Sequence, residues 1–335
     1  MIKVYGTETK KMLNLLILDV LRRYSDAEHP LTQQAIIRIL RSDYGVEKID
    51  RRSVKANVLS LVDMGYEISM EEGNGYYLIS REFEDAELRL LIDSVLFSKT
   101  ISDAYAKRLI EKLKSFGNIY FDMRVSHVKP TPTMNRTDNK QVLYNVSAID
   151  EAIDNKKKIS FHYCKYGLDF KMHDLGRNYV VNPYQMVASA GHYYLLGNFD
   201  KYDDIAYYRI DKMTNVMILD EKVKPQKDVN GLEGQLNLSK HMAEHIYMFC
   251  GETLNVTLKT TPNMMDVLVD WFGKDFKILK STEDDLEIMV RSNENAIFCW
   301  ALQYGPYVEV LSPPSLREEL AKEIKKMSQK YGKKV

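Results

Sequence analysis

Cysteine is scarce in this chain: Cys164, Cys250 and Cys299 are the only three in 335 residues, far apart and without a CxxC pair. That excludes a disulfide framework and the paired spacings of zinc ribbons, and it fits a reducing cytoplasm. An excess of one charge is lacking too, since 47 Lys and Arg stand against 47 Asp and Glu. No global field draws the molecule to nucleic acid or an anionic membrane, so any such binding rests on a local patch. Long apolar runs are missing as well. The opening MIKVYGTETKK leads into LNLLILDV, but Asp19 and the Arg22-Arg23 pair interrupt it, so neither a signal sequence nor a membrane span is expected. G-x-S-x-G, P-loop and G-x-G-x-x-G motifs are absent, and Cys164 near His162 does not by itself make a nucleophile pair. The chain is expected to be no enzyme and to need no cofactor or metal.

A hydrophobic fraction of 45% is ample for packed cores, and at roughly 100–200 residues per domain the length predicts two or three domains of a soluble protein. Over 11–24, Leu13, Leu16, Ile17, Val20 and Leu21 recur at helical steps, and His29-Pro30 ends that helix. Thr32 caps a second helix that Gly45 stops, and Asp50 begins a third. The third turns Val54, Val58, Leu61 and Val62 inward, which leaves a basic and polar outer face. YEISM and YYLIS then flank EEGNG, where Asn74-Gly75 is a hairpin signal.

Three helices and a hairpin over 1–80 make a winged helix-turn-helix, which places the start of its last helix in the major groove of duplex DNA. Arg51, Arg52, Ser53, Lys55 and Asn57 are the candidate DNA contacts, because Arg can read guanine edges and Asn adenine. Glu71 and Glu72 at the wing tip are expected to keep the wing off the phosphates, apart from contact through Asn74.

Residues 81–145 read as a connector. Leu88, Leu91, Ile92, Val95 and Leu96 predict one helix, and Tyr105, Leu109, Ile110 and Leu113 a second after a Ser102 cap. HVKPTPTMNRTDNK then reads as an extended linker. The next domain, 146–225, opens with a short helix over 148–155. KISFHYCKY follows, alternating Ile159, Phe161 and Tyr163 against Ser160, His162 and Cys164 as a half-buried strand does. RNYVVNPYQMVAS, HYYLLGNF, AYYRIDKM and NVMILD continue as short strands, so a small barrel is expected rather than a doubly wound sheet.

NPYQMV, GHYYLLGNFD and YYRIDKM together resemble the central module of the WYL-domain regulators of bacteria. Tyr193-Tyr194-Leu195 stands at the namesake tripeptide, with tyrosine in place of the family's tryptophan. DRRSVKANVLSLVDMGYEI with GNGYYLI looks like that family's DNA-binding head, and YGPYVEVLSPPSLREEL like its tail. The resemblance implies an Sm-like five-stranded barrel that binds a nucleotide or short nucleic acid and thereby controls the head. The residues support part of this. On one strand Tyr207 and Arg209 share a face, which offers an aromatic plane beside a guanidinium, a pairing suited to a base and a phosphate. Candidate ligand contacts are Arg209, Tyr193, Tyr194, Tyr207, Tyr184, His162 and Lys212, with the remaining tyrosines filling the barrel.

Residues 250–335 read as β-α-β-β-α-β, the ferredoxin-like plan, followed by a charged helix with an apolar stripe of Leu316, Leu320, Ile324 and Met327. Similar tails in the family carry dimer contacts, so a homodimer is expected, as paired half-sites would require. The whole is an α+β protein, read as a cytoplasmic regulator whose partners are an operator duplex and a nucleotide or oligonucleotide. Two alternatives remain: an accessory protein binding RNA or single-stranded DNA in a nucleic-acid defence system, and a zinc hydrolase built on HMAEH. The second has the H-x-x-E-H spacing at His241 and His245, but it needs a third protein ligand and a cleft.

Overall fold

The computed structural model describes residues 12–70, 73–125, 136–232 and 237–332. The chain divides into two compact units, Met1–Asp138 and Asn139–Val335.

The first unit opens with helices α1 (Leu13–Tyr24), α2 (Gln33–Tyr44) and α3 (Arg51–Asp63). Their ends carry the local signals that the sequence predicts. Thr32 Oγ1 accepts from the Ala35 amide, the Asp50 carboxylate accepts from the Ser53 amide at 2.7 Å, and Gly45 takes the left-handed conformation that releases α2. Ile17, Leu21, Ile36, Leu40, Val54 and Val58 make the shared core, and all are fully buried. Strands β1 (Ile68–Ser69) and β2 (Tyr77–Leu78) pair antiparallel, and Leu31 joins Tyr76 through two backbone bonds of 2.8 Å each. Glu71 and Glu72, on which the expectation about the wing tip rests, lie outside the described residues.

Helices α4 (Asp85–Phe97), α5 (Asp103–Lys114) and α6 (Ile119–Arg124) follow. The sequence pattern gives the first two and misses the third, because six residues are too short to show a period. Leu88, Ile92 and Leu96 are buried with Ile110 and Phe121, whereas Leu91, counted in the same stripe, faces outward. The connector is fastened to the end of α1: Arg81 donates to the Arg22 and Ser25 carbonyls, and the Asn118 amide also donates to Ser25. Of the stretch expected to be an extended linker, residues up to 135 lie outside the described residues. Arg136 donates to the Leu96 carbonyl at 2.8 Å and Thr137 to that of Lys99.

In the second unit, α7 (Val142–Asp154) starts six residues before the expected helix. Strands β3 (Lys157–Tyr166), β4 (Met172–Ser189), β5 (His192–Asn198), β6 (Ala206–Arg209) and β7 (Met213–Lys222) form an antiparallel sheet in the order β6-β5-β4-β3-β7. AYYRIDKM is not strand throughout, since Ile210–Lys212 is a turn of 3₁₀ helix between β6 and β7. Ile149 of α7 is fully buried against Phe161, Val181, Leu195 and Ile210 of the sheet and turn.

After α8 (Leu238–Glu244), the chain continues as β8 (Thr253–Thr260), α9 (Met265–Phe272), β9 (Lys277–Ser281), β10 (Leu286–Asn293), α10 (Glu294–Gln303), β11 (Glu309–Ser312) and α11 (Pro314–Gly332). The four strands lie antiparallel in the order β11-β8-β10-β9, and the core on their covered face centres on Trp300, fully buried beside Phe272 and Leu268. Along β9 every residue is exposed, Ile278 and Leu279 included. Helix α11 seats Leu316 and Leu320 in that core, but Ile324 and Tyr331 are 54% and 86% exposed, so its apolar stripe outruns the domain it packs on. Among the described residues no helix is long and apolar enough to cross a membrane.

Gly75 holds the hairpin to the helices. Its φ is +95°, and a Cβ there would stand 2.7 Å from the Leu31 carbonyl oxygen. Gly75→Ala is therefore expected to weaken the Leu31–Tyr76 bridge by about 1–3 kcal/mol, the scale of local backbone strain. Amide exchange at Leu31 and Tyr76 should accelerate while exchange at Ile36 and Leu40 in α2 stays unchanged; equal protection in parent and variant would show that the turn tolerates a side chain.

Candidate functional site

The outer face of α3 carries the first cluster. Arg51, Arg52 and Lys55 are exposed, and Ser53 and Asn57 are half-buried. The Asp50 carboxyl is held below the usual range by hydrogen bonds from Ser53, so the cap stays ionised at the positive end of the helix. The Asn57 amide donates to the Ser53 carbonyl at 2.7 Å and so turns back along its own helix. Between α3, the start of α2 and the hairpin lies a groove of about 590 Å³ lined by Arg51, Lys55, Gln33, Gln34 and Tyr76. Gln33 donates to the Tyr76 hydroxyl across it at 3.0 Å. Cationic side chains beside amide donors on a protruding helix can engage phosphates and purine edges.

The candidate ligand contacts of the sheet divide by face. Tyr208 is buried in a ring cluster with Phe161, Tyr163 and Tyr179, at centroid distances of 5.3, 5.9 and 6.2 Å. Tyr193 packs against the same core, and Tyr184 is buried with its hydroxyl donating to the Lys224 carbonyl at 2.8 Å. On the opposite face Tyr194 lies directly across the ladder from Arg209. The Arg209 guanidinium makes two bonds to Asp211, at 3.1 and 2.7 Å, and its backbone amide donates to the Tyr163 hydroxyl. Desolvation opposes the charge on Arg209, but Asp211, almost fully buried, outweighs it and raises the pKa. Lys212 is half-buried in the 3₁₀ turn. Burial and then the charge of Arg209 push its pKa down, and the Asp211 carboxylate opposes them.

The structure thus gathers Tyr194, Arg209 and Lys212. His162 stands apart, with Nδ1 2.6 Å from the Asp174 carboxylate. Sequence reasoning missed Asp211, although two-residue spacing from Arg209 is the spacing that would put both on one side of a strand.

Tyr207 turns toward α8. Burial raises its phenol strongly, so it keeps its proton, and its hydroxyl is hydrogen-bonded with His241 Nε2 at 2.7 Å. The His241 and His245 rings lie face to face, 4.2 Å between centroids, rather than converging on a point. Among the described residues no group of three or more His, Cys, Asp or Glu is placed to hold a metal ion.

Residues 144–218, which hold α7 and most of the five-stranded sheet, match the WYL domain, and residues 252–328, the C-terminal sheet with most of α11, match the WCX domain. The chain thus carries a WYL domain and a WCX domain. Among curated proteins it is similar to the uncharacterized HTH-type transcriptional regulator YobV of Bacillus subtilis (strain 168), 23% identical over 197 residues. That match spans 58% of this chain and 57% of the relative, little more than half of either. Among solved structures, proteasome accessory factor B/C (PafBC) of Arthrobacter aurescens aligns with 99% of this chain and 50% of its own, at 15% identity and a TM-score of 0.29. A CRISPR Cas-related protein aligns over 98% and 88%, at 14% identity and a TM-score of 0.39.

The buried imidazole of His241 makes stability depend on pH. Burial, and then the neighbouring His245, lower its pKa from 6.5 to about 4. Between those values the unfolded chain binds a proton that the folded chain does not, so the contribution is complete above pH 6.5 and is lost as pH falls toward 4. Its full size is about 3 kcal/mol at most. In thermal melts, His241→Gln should lose less stability than the parent on going from neutral to acidic pH; parallel losses would mean that His241 does not titrate with unfolding.

Proposed function

We propose that the protein is a DNA-binding transcriptional regulator whose head reads duplex DNA and whose WYL sheet senses a nucleotide or short nucleic acid. The observation that carries it is the outer face of α3: exposed Arg51, Arg52 and Lys55 on a capped helix beside a hairpin, in a chain whose overall net charge is zero. The order helix, helix, basic helix, hairpin is that of a winged helix-turn-helix. The YobV relative carries the description of an HTH-type transcriptional regulator, which agrees with this reading. On it, the sheet with its 3₁₀ turn between β6 and β7 follows an Sm-like barrel, and the WCX domain follows the ferredoxin-like plan.

Lys212 supplies the charge for an anionic ligand, the outer edge of the Arg209 guanidinium orients a phosphate, and Tyr194 offers its ring to a base. A ligand that favours one arrangement of the chain over another shifts how often the head fits its operator. The exposed end of α11, with Ile324, Met327 and Tyr331, supplies the contact of a homodimer that presents two heads.

Three outcomes test this. Arg51→Ala with Arg52→Ala should weaken duplex binding in fluorescence anisotropy and reduce the log–log salt slope by up to about 2, because two fewer phosphates are neutralised; an unchanged slope would move the DNA contact away from α3. Lys212→Ala should abolish calorimetric binding of nucleotides while the melting temperature holds. Ile324→Asp with Met327→Asp should turn a dimer into a monomer in sedimentation, and a persisting dimer would place the contact elsewhere.

A further inference from the structure

Where the five-stranded sheet meets the WCX domain, three parts of the second unit close around a cavity of about 430 Å³. Its walls come from the β5–β6 loop and β6 (Asp204, Ile205, Tyr207), from α8 (His241, Glu244 and the following His245), and from the WCX domain (Glu252 and Arg291). That size falls within the range of small-molecule sites, which favour junctions between domains.

The chemistry of the lining is lopsided. Ile205 is buried, and Tyr207 with the stacked imidazoles gives an aromatic wall. His245 Nδ1 is 3.0 Å from the His241 carbonyl oxygen, which can only accept, so the ring hydrogen sits on Nδ1 and Nε2 is left as an acceptor. Among the described residues none donates to that nitrogen. Burial lowers the pKa of both imidazoles and keeps them uncharged at neutral pH. Among the lining residues Asp204, Glu244 and Glu252 face one cation, Arg291, and Lys240 Nζ stands 3.9 Å from Glu244 from outside the lining. Arg291 Nε stands 3.4 Å from Glu244, so its charge is already matched, while Asp204 and Glu252 are exposed at the rim with no cation within ion-pair distance among the described residues. An anion would meet two uncompensated carboxylates. A purely apolar ligand would desolvate them without return.

We propose that this cavity binds a small planar organic cation, an aryl amidine or an equivalent ring-borne cation. The ring lies against Tyr207 and the two imidazoles, and the cationic end donates to the carboxylate rim. The site is separate from the Arg209–Lys212 cluster, takes ligands of the opposite charge, and goes beyond the function proposed above. Its walls belong to both the WYL sheet and the WCX domain, so an occupant ties the position of one to the other.

Calorimetry on the full chain with benzamidine, and with benzoate as its charge-reversed counterpart, tests this. Benzamidine should bind saturably at one site and benzoate should not. Asp204→Asn and Glu252→Gln should each weaken benzamidine about two- to fivefold, the scale of an exposed charge pair. Arg291→Ala should strengthen it, since the substitution removes the cation that lines the cavity and leaves Glu244 only the longer contact with Lys240, at 3.9 Å. Melting temperatures close to the parent's confirm that the near-isosteric variants are folded, and Lys212→Ala should bind benzamidine like the parent. The proposal is overturned if benzamidine does not saturate at millimolar concentration, if benzoate binds in its place and is lost in Arg291→Ala, or if Lys212→Ala abolishes the benzamidine signal.

Discussion

Two buried amides hold the second unit together at the point where its charged side chains are set. Asn139 donates to the carbonyls of Asp211 and Met213, at 3.0 and 2.7 Å, and Asn145 of α7 donates to that of Met213 at 2.8 Å. Both carbonyls lie in or just after the 3₁₀ turn between β6 and β7, and a buried carbonyl left unpaired costs about 1–3 kcal/mol. Satisfying them fixes α7 over the turn. The turn in turn fixes Asp211, whose carboxylate holds Arg209 in place and whose charge also acts on Lys212. A change at either asparagine would reach the ligand face without touching it.

Locally encoded features were legible in the sequence: the Thr32 and Asp50 caps, the Gly45 stop and the Asn74-Gly75 turn each depend on a few adjacent residues, whereas the expected alternation of β3 fails, since Ser160 and Cys164 are buried and Tyr163 only half so in a strand that has neighbours on both edges. What was illegible depended on partners distant in the chain. Nothing near residue 142 reports that α7 begins there, because the reason is a set of carbonyls some seventy residues on. The end of β6 at Arg209 likewise follows from the demands of the turn. The stripe on α11 is periodic from Leu316 to Met327, yet only its first half meets a core, and periodicity alone cannot say where the facing surface ends.

The abundance of tyrosine around residues 191–213 resolves into three roles decided by which side of the strand each ring occupies. Tyr193 and Tyr208 fill the sheet's core, Tyr194 sits opposite Arg209, and Tyr207 spends its hydroxyl on His241. Strand alternation predicts the split into faces, but not that residues two apart on one face would serve different neighbours. That follows from α8, whose His241 meets the Tyr207 hydroxyl, while Arg209 turns to Asp211.

The exposed strand β9 bears on solubility. It is the outermost strand of its sheet, and Ile278 and Leu279 are each about half exposed along it. An uncovered edge of that kind is a template on which a second chain could add as a further strand and begin an aggregate. Lys277 and Lys280 bracket the two apolar residues, and the pairing with β10 slips register between Glu287 and Ile288. Charge at both ends and an uneven pleat make the edge a poor match for a copy of itself, so this domain keeps an open sheet while discouraging fibrous association.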